Sequence, residues 1–259
     1  EQQPLEERVV FQNAFSPRSA YGLSGTLEAW KSDLANYARG NSRLVLALCT
    51  AFAGPLLKLC DIEGGTLHLV GKSSAGKTTA LKAAGSVWGG KDYPRTWRAT
   101  ANGLEGIASL HNDTFFPIDE IGQAESRDVA AAAYMLAQGQ GKARAMRDGT
   151  PARPVIWRTL LLSTGEHTLA AKIAEDGKAR SSAGQEVRFV DIPADAGAGL
   201  GIFEELHGFA TPREFAEHIA ATAAANYGYA SHAYLSRLAN SLPEAAEQAR
   251  GYIDHFCKT

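Results

Sequence analysis

Between Gly71 and Thr78 the chain reads Gly71-Lys72-Ser73-Ser74-Ala75-Gly76-Lys77-Thr78. Two glycines, a lysine and a hydroxyl at the spacing G-x-x-x-x-G-K-[ST] suit a polyphosphate. Gly71 and Gly76 permit backbone angles that bulkier residues resist, so successive N–H groups can converge on one anion. A helix starting at Lys77 would add the positive end of its dipole. The expected nucleotide contacts are Gly71, Ser73, Ser74, Ala75, Gly76, Lys77, Thr78 and Thr79. Lys77 would reach the β and γ phosphates of ATP, and Thr78 would hold Mg²⁺.

Hydrolysis needs acids as well. Thr114-Phe115-Phe116-Pro117-Ile118-Asp119-Glu120 is an apolar run that ends in two of them. At a strand end Asp119 can hold the Mg²⁺ shell, while Glu120 orients and deprotonates the attacking water. An Asp-Glu pair can equally cap a helix; the phosphate loop upstream favours the first role. Pro117 is out of place in such a strand, because it removes a ladder donor. The run from Val155 to Thr164 is a candidate buried strand with Ser163 and Thr164 at its carboxyl end, where open α/β sheets bind ligands. Either hydroxyl can bond the γ phosphate or the water, the role called sensor 1, or cap the next helix. Glu166 is a further polar candidate there.

Two arginines can act on a neighbouring subunit's phosphate, Arg188 at the start of the run 187–192 and Arg180 just before it. Such an arginine finger neutralises charge on the transferring group. Between them Arg188 is preferred. A solvated surface role remains open for both. Lys142, Arg144 and Arg147 form a basic patch between Gly139 and Gly149, and the alternation of basic with small residues from Lys142 to Arg144 suits a β-hairpin. Its cations could track a DNA backbone in the pore of a ring. They could also be ordinary solvated charges, or serve nucleotide across a subunit interface.

These residues need a scaffold that alternates strands and helices. Candidate strands are 66–70, 114–118, 156–163 and 187–192; candidate helices are 77–86, 101–110, 125–138 and 167–175. The alternation predicts a parallel sheet with crossover helices, an α/β fold. Upstream, Leu27–Ala38 and Leu44–Leu59 have helical apolar spacing. Downstream, 193–210 reads as a loop and 212–257 as two or three alanine-rich helices. The expected division is an arm at 1–24, a helical extension at 25–62, the core at 63–210 and a helical lid at 211–259.

Composition narrows the class. The chain has 259 residues, 45% hydrophobic and 21% charged, with a net charge of -2. It can therefore bury a proper core, and carries no global basic signal for nucleic acid. Cys49, Cys60 and Cys257 lack zinc-ligand spacing and read as reduced thiols. No apolar run has the length of a membrane span, no secretory signal is visible, and the cytoplasm is the expected compartment. A start at Glu1 points to a fragment of a longer chain with flanking domains.

Several motifs in order resemble one bacterial family, domain of unknown function 927. They are the loop Gly71 to Leu81 followed by Ser86-Val87-Trp88-Gly89, Trp97-Arg98-Ala99-Thr100-Ala101-Asn102-Gly103-Leu104-Glu105, and Ile118-Asp119-Glu120-Ile121-Gly122-Gln123. Leu162-Ser163-Thr164-Gly165-Glu166, Ala183-Gly184-Gln185-Glu186-Val187-Arg188 and Asp191-Ile192-Pro193-Ala194 extend the match, which runs from about residue 24 to the end. The family is similar to AAA+ ATPases, especially ring helicases of superfamily three and the minichromosome maintenance type, and occurs in phages and mobile elements beside primase-like domains. The resemblance implies an AAA+-like P-loop NTPase, an ATP- and Mg²⁺-dependent DNA helicase or translocase working as a homo-oligomeric ring. It also implies a DNA-binding hairpin just before sensor 1, and a finger near Arg188. Arg213, Arg237 and Arg250 are the arginines in the lid, none singled out as sensor 2. The alternatives are a protein-remodelling or defence ATPase and a nucleotide-gated assembly module. A small-molecule kinase fits less well, because nothing reads as a second substrate pocket.

Overall fold

The structure is a computed structural model, and it describes residues 19–145, 150, 153–175 and 187–259. The chain enters through α1 (Leu27–Trp30), capped by the Thr26 hydroxyl on the Ala29 N–H. A π-turn over Lys31–Ala35 and a 3-10 turn over Asn36–Ala38 follow, rather than one helix across 27–38. The next expected helix, 44–59, divides into α2 (Ser42–Ala53) and α3 (Leu56–Cys60). Pro55 has no N–H to continue the ladder, and a Cβ on Gly54 would sit 2.5 Å from the Thr114 carbonyl. The break therefore lets the helix pair pass close over the sheet.

Five parallel strands follow: β1 (Gly65–Val70), β2 (Arg95–Thr96), β3 (Thr114–Asp119), β4 (Thr159–Gly165) and β5 (Phe189–Pro193), in the order β2-β3-β4-β1-β5. Between them lie α4 (Lys77–Gly85), α5 (Ala101–Leu110), α6 (Ser126–Gln138) and α7 (Leu169–Ala174). The expected strands and helices fall at these places with shifted ends; β5 and α7, for instance, each start two residues later than expected. β4 starts at Thr159 rather than 156, and β2 is too short to register as a sequence pattern. β3 and β4 are nearly continuous apolar runs because both faces are covered. Adjacent Phe115 and Phe116 are each fully buried on opposite faces. Phe115 joins the cluster of Trp30, Leu44, Trp88 and Leu162, and Phe116 that of Trp97, Leu104, Leu136 and Leu161.

Pro117 finds its place through the same alternation. The Asp119 carbonyl accepts from the Trp97 N–H and the Phe115 carbonyl from the Tyr93 hydroxyl, so the odd positions of β3 face β2. β2 pairs only with Ile118 and Asp119. The missing donor thus falls just before the neighbouring strand begins.

After the segment 194–210, three helices complete the chain: α8 (Pro212–Ala225), α9 (Tyr229–Ala239) and α10 (Leu242–Phe256). α8 starts sharply because Thr211 caps the Glu214 N–H and Pro212 occupies the first helical position. It packs along α4, with Phe215 and Ile219 in the core. Among the described residues no helix is long and apolar enough to cross a membrane.

Candidate functional site

The loop between β1 and α4 turns at Ser74 (φ 64°) and Gly76 (φ 91°). At Gly76 a Cβ would meet Ile202 Cγ1 at 2.8 Å, and at Gly71 it would meet the Ala194 methyl at 3.0 Å. Close approach therefore favours glycine at both positions, and at Gly76 the backbone angle does so too. The Gly71 N–H bonds the Gly165 carbonyl at 3.1 Å, tying the loop to the end of β4. Lys77 is only 6% exposed, and its ammonium donates to the Gly71 and Lys72 carbonyls at 2.7 and 2.8 Å. Gly71, Ser73, Ser74, Ala75 and Thr79 lie around it at the mouth of α4.

Asp119, the last residue of β3, comes to the same place. Thr78 Oγ1 donates to its two carboxylate oxygens at 3.3 and 3.2 Å, and the Thr164 hydroxyl donates to Oδ1. Thr164 Oγ1 also accepts from the Glu120 N–H at 3.0 Å. Glu120 has φ 59°, a left-handed turn that costs a non-glycine residue energy and redirects its side chain off the strand. Its carboxylate accepts from the Gly122 N–H at 3.3 Å. Strand ends β1, β3 and β4 thus bring Thr78, Asp119, Glu120 and Thr164 together. A hydroxyl and a carboxylate are hard oxygen donors, and so few of them suit Mg²⁺, which keeps several waters.

Ser163 goes elsewhere. β4 alternation turns it into the sheet interior, fully buried. Trp97 Nε1 donates to its hydroxyl at 2.9 Å, and His68 Nδ1 lies 2.9 Å away. His68 Nε2 faces the His167 carbonyl at 3.0 Å, which can only accept. The ring proton therefore sits on Nε2, and Ser163 donates to Nδ1. Burial pulls the His68 pKa down to about 4, against the bond to His167 and with the help of the Lys77 charge. Of the two sensor 1 candidates, Thr164 reaches the acid pair and Ser163 holds β1, β4 and Trp97 together. A polar residue at an inward-facing position of β1 was the available sign of this network.

A cavity of about 740 Å³ opens above these groups. Its walls include Ser73 to Thr79, Lys82, Glu120, Glu166, Leu200, Phe203 and the α8 face Pro212, Arg213, Ala216, Glu217 and Ala220. Of the three arginines in 211–259, Arg213 is the one that lines it. Arg213 Nε donates to Glu217 Oε1 at 2.8 Å. Arg250 instead donates to the Leu59 carbonyl at 3.1 Å. The signal for Arg213 was its position one residue after a Thr-Pro helix start, which places it in the first turn.

Arg188 lies at the opposite end of the sheet. Its carbonyl accepts from the Thr66 N–H, and its guanidinium meets Glu63 at 2.9 Å. β1 has six residues, so the phosphate loop of the same chain is about 20 Å away. Arg188 cannot serve its own chain's site. Arg180 and Arg147 lie outside the described residues. Below the basic segment, the chain pairs antiparallel at Gln140 and Ile156, and the Gly141 N–H bonds the Val155 carbonyl at 2.8 Å. Lys142 is exposed. Arg144 is not a free cation: it donates to Glu105 at 2.7 Å and to Asn102 at 3.1 Å. Glu105 is 3% exposed, so Arg144 neutralises a buried carboxylate. Its guanidinium, half exposed, is thus shared with a carboxylate, whereas Lys142 has its charge in solvent.

Residues 2–155 match the family described as Domain of unknown function (DUF927). The match begins and ends earlier than the span from 24 to 259 indicated by the motifs, taking in the phosphate loop and the Asp119-Glu120 pair. No curated protein matches the chain. Among solved structures the chain is similar to an active helicase, SCCmec type IV Cch, with a TM-score of 0.72 at 24% identity, over 93% of this chain and 44% of that one. It spans less than half the length of that helicase. Similarity to NtrX from Brucella abortus in complex with ATP is weak, with a TM-score of 0.35 at 16% identity, over 70% of this chain and 38% of that one. The five-stranded parallel sheet and the likeness to Cch together show an α/β core of the P-loop NTPase type.

Proposed function

The chain belongs to the family described as Domain of unknown function (DUF927), and on that footing we propose that it is an ATP-dependent motor ATPase acting on DNA. One observation carries the reading: Lys77, Thr78 and Glu120 line a single cavity, with Asp119 and Thr164 bonded directly behind them. The phosphate loop would hold the triphosphate through its N–H groups. The Lys77 ammonium would exchange two neutral carbonyls for phosphate oxygens. Thr78 and Asp119 would hold Mg²⁺, which when bound neutralises charge on the β and γ oxygens. Glu120 would accept a proton from the attacking water, and Thr164 would keep Asp119 and the Glu120 backbone in register. Arg213, on the cavity wall, would meet the γ phosphate by leaving Glu217.

In this reading the functional division is an arm at 1–24, an extension at 25–62, the ATPase core at 63–210 and a lid at 211–259, in a cytoplasmic protein. Motor function would require a ring, with Arg188 acting in the neighbouring subunit's site. Lys142 would contact DNA, while Arg144 anchors the base of the same segment. The helicase likeness supports a DNA substrate in the replication of a phage or mobile element. The anchoring of Arg144 favours one rival, a protein-remodelling or defence ATPase that uses this segment as a grip. Steady-state ATP hydrolysis with and without single-stranded DNA, against a Glu120→Gln control, tests the proposal. Turnover that rises with DNA and depends on Glu120 is expected. Glu120-dependent turnover indifferent to DNA, and to Lys142→Ala, would transfer the reading to the rival.

A further inference from the structure

The cap position of α2 holds an asparagine that does not cap its own helix. Asn41 is fully buried, yet its side chain makes no bond to the first turn of α2. It reaches instead to the segment joining β5 to α8. Its Oδ1 accepts from the Glu204 and Glu205 N–H groups at 2.8 and 3.1 Å, and its Nδ2 donates to the Tyr37 and Glu205 carbonyls at 3.0 Å each. The next two residues hold the same segment. The Ser42 N–H donates to the Glu204 carboxylate at 2.7 Å, and Arg43 donates to the Pro193 and Asp195 carbonyls at 2.7 and 3.3 Å. Residues 41–43 thus grip both ends of a strap over 193–205. Between the grips Gly197, Gly199 and Gly201 all have positive φ. Glycine loses more freedom on ordering than any other residue, so the strap needs those anchors.

The strap touches the phosphate loop. The Ile202 N–H donates to the Ala75 carbonyl at 2.9 Å, and a Cβ on Gly201 would stand 2.5 Å from the same oxygen. A trans peptide points its C=O and its N–H in opposite directions. Drawing the Ala75 carbonyl towards Ile202 therefore turns the Gly76 N–H away from the strap. Gly76 lines the cavity, and among the described residues its N–H has no acceptor. A phosphate is held by N–H groups turned to it, and a carbonyl in their place would oppose the anion.

Resting on the ATPase reading above, we infer that Asn41, with Arg43, is a positioning residue for nucleotide: it fixes the strap, so that Ile202 holds the Ala75 carbonyl outward and the Gly76 N–H is aimed at the triphosphate. Apolar packing of Ile202 and Phe203 in the core places the strap near the loop but is non-directional. The orientation of one peptide plane needs a hydrogen bond from a backbone that is itself held, and Asn41 holds it.

The test is calorimetric binding of inorganic tripolyphosphate and of ATP, with Mg²⁺, beside steady-state ATP hydrolysis and urea unfolding. The unaltered chain is compared with Asn41→Leu, Arg43→Ala, Gly201→Ala and a control, Leu136→Ala, in the core on the other face of the sheet. Asn41→Leu and Gly201→Ala should each weaken both ligands by about 10- to 100-fold, the range for one hydrogen bond to a charged group. KM for ATP should rise with kcat unchanged, because Thr78, Asp119 and Thr164 hold one another without the strap. Arg43→Ala, which frees only the start of the strap, should weaken binding less. Leu136→Ala should lose stability and keep its affinity. Unchanged affinity in folded Asn41→Leu overturns the inference and leaves the ATPase reading standing. If Asn41→Leu does not fold, unchanged affinity in both Arg43→Ala and Gly201→Ala overturns it. An equal loss in Leu136→Ala also overturns it, because affinity would then follow stability alone. No binding of either ligand by the unaltered chain would remove the phosphate-site reading and this inference together.

Discussion

At the carboxyl end of the sheet Lys77 donates to two backbone carbonyls, whereas at the amino end Arg188 meets Glu63 and Arg158 meets Asp61. The base of the basic segment resembles the amino end, with Arg144 on the buried carboxylate of Glu105. The difference lies in what can displace the partner. Carbonyls carry no net charge, so a phosphate offers the Lys77 ammonium a stronger, charge-assisted bond. A carboxylate already cancels its arginine, and exchange for a phosphate gains little. A cation poised for ligand is therefore marked by neutral partners, and a structural cation by an acid. Arg213, on the cavity wall yet bonded to Glu217, combines both features.

Glu120→Gln would sharpen this contrast most. It keeps the loop and Lys77 intact, so nucleotide binding should persist while turnover falls by about 10²- to 10⁴-fold, the range for a lost general base. Binding measured beside steady-state rates separates the two; equal loss of both would place Glu120 in the binding shell instead.

Acid should act on both ends of the sheet. Burial holds His68, beside the phosphate loop, and His111, just before β3, at pKa values of about 4. Both lie below the unfolded value of about 6.5, so the unfolded chain binds more protons between these pH values. Stability should be level above pH 6.5, fall as pH drops towards 4, and lose up to about 3 kcal/mol for each histidine. Urea unfolding across that window checks this. His111→Phe should remove about half of the pH dependence, and an unchanged slope would mean that the His111 ring does not stay neutral in the fold.

Arg144→Ala should cost stability by about 2–3 kcal/mol, less than a fully buried pair because the arginine itself is half exposed. Adding Glu105→Gln should restore part of the loss. If Arg144→Ala left stability unchanged and lowered DNA affinity, the contrast between poised and structural cations would fail at this residue. The smallest effect is expected at the amino end, where Glu63→Gln should change stability by less than about 1 kcal/mol, as for exposed pairs. Any larger change would mean that the Arg188–Glu63 pair is less solvated than its exposure implies.

Local spacing was enough to expose the chemistry that depends on neighbours in sequence. The phosphate loop, the helix after it, and the acid pair ending an apolar strand were all legible because strand, turn and helix preferences act within a few residues. Helix α5 could be read as 101–110 for the same reason, with Thr100 as its cap. What sequence left open involved choices between near-equivalents. Ser163 and Thr164 are adjacent hydroxyls, and only the facing of β4 sends one to Asp119 and the other to His68. Arg213, Arg237 and Arg250 are alike until α8 packs along α4 and brings Arg213 to the cavity. Arg144 looked like Lys142 until α5 presented a buried carboxylate to it. Each of these is decided by a partner 39 to more than 100 residues away, so no window along the chain contains the answer. The chain's local order dictated which candidate groups were present, and the packing of helices on the sheet, through burial and charge pairing, dictated which copy of each residue type came to the cavity.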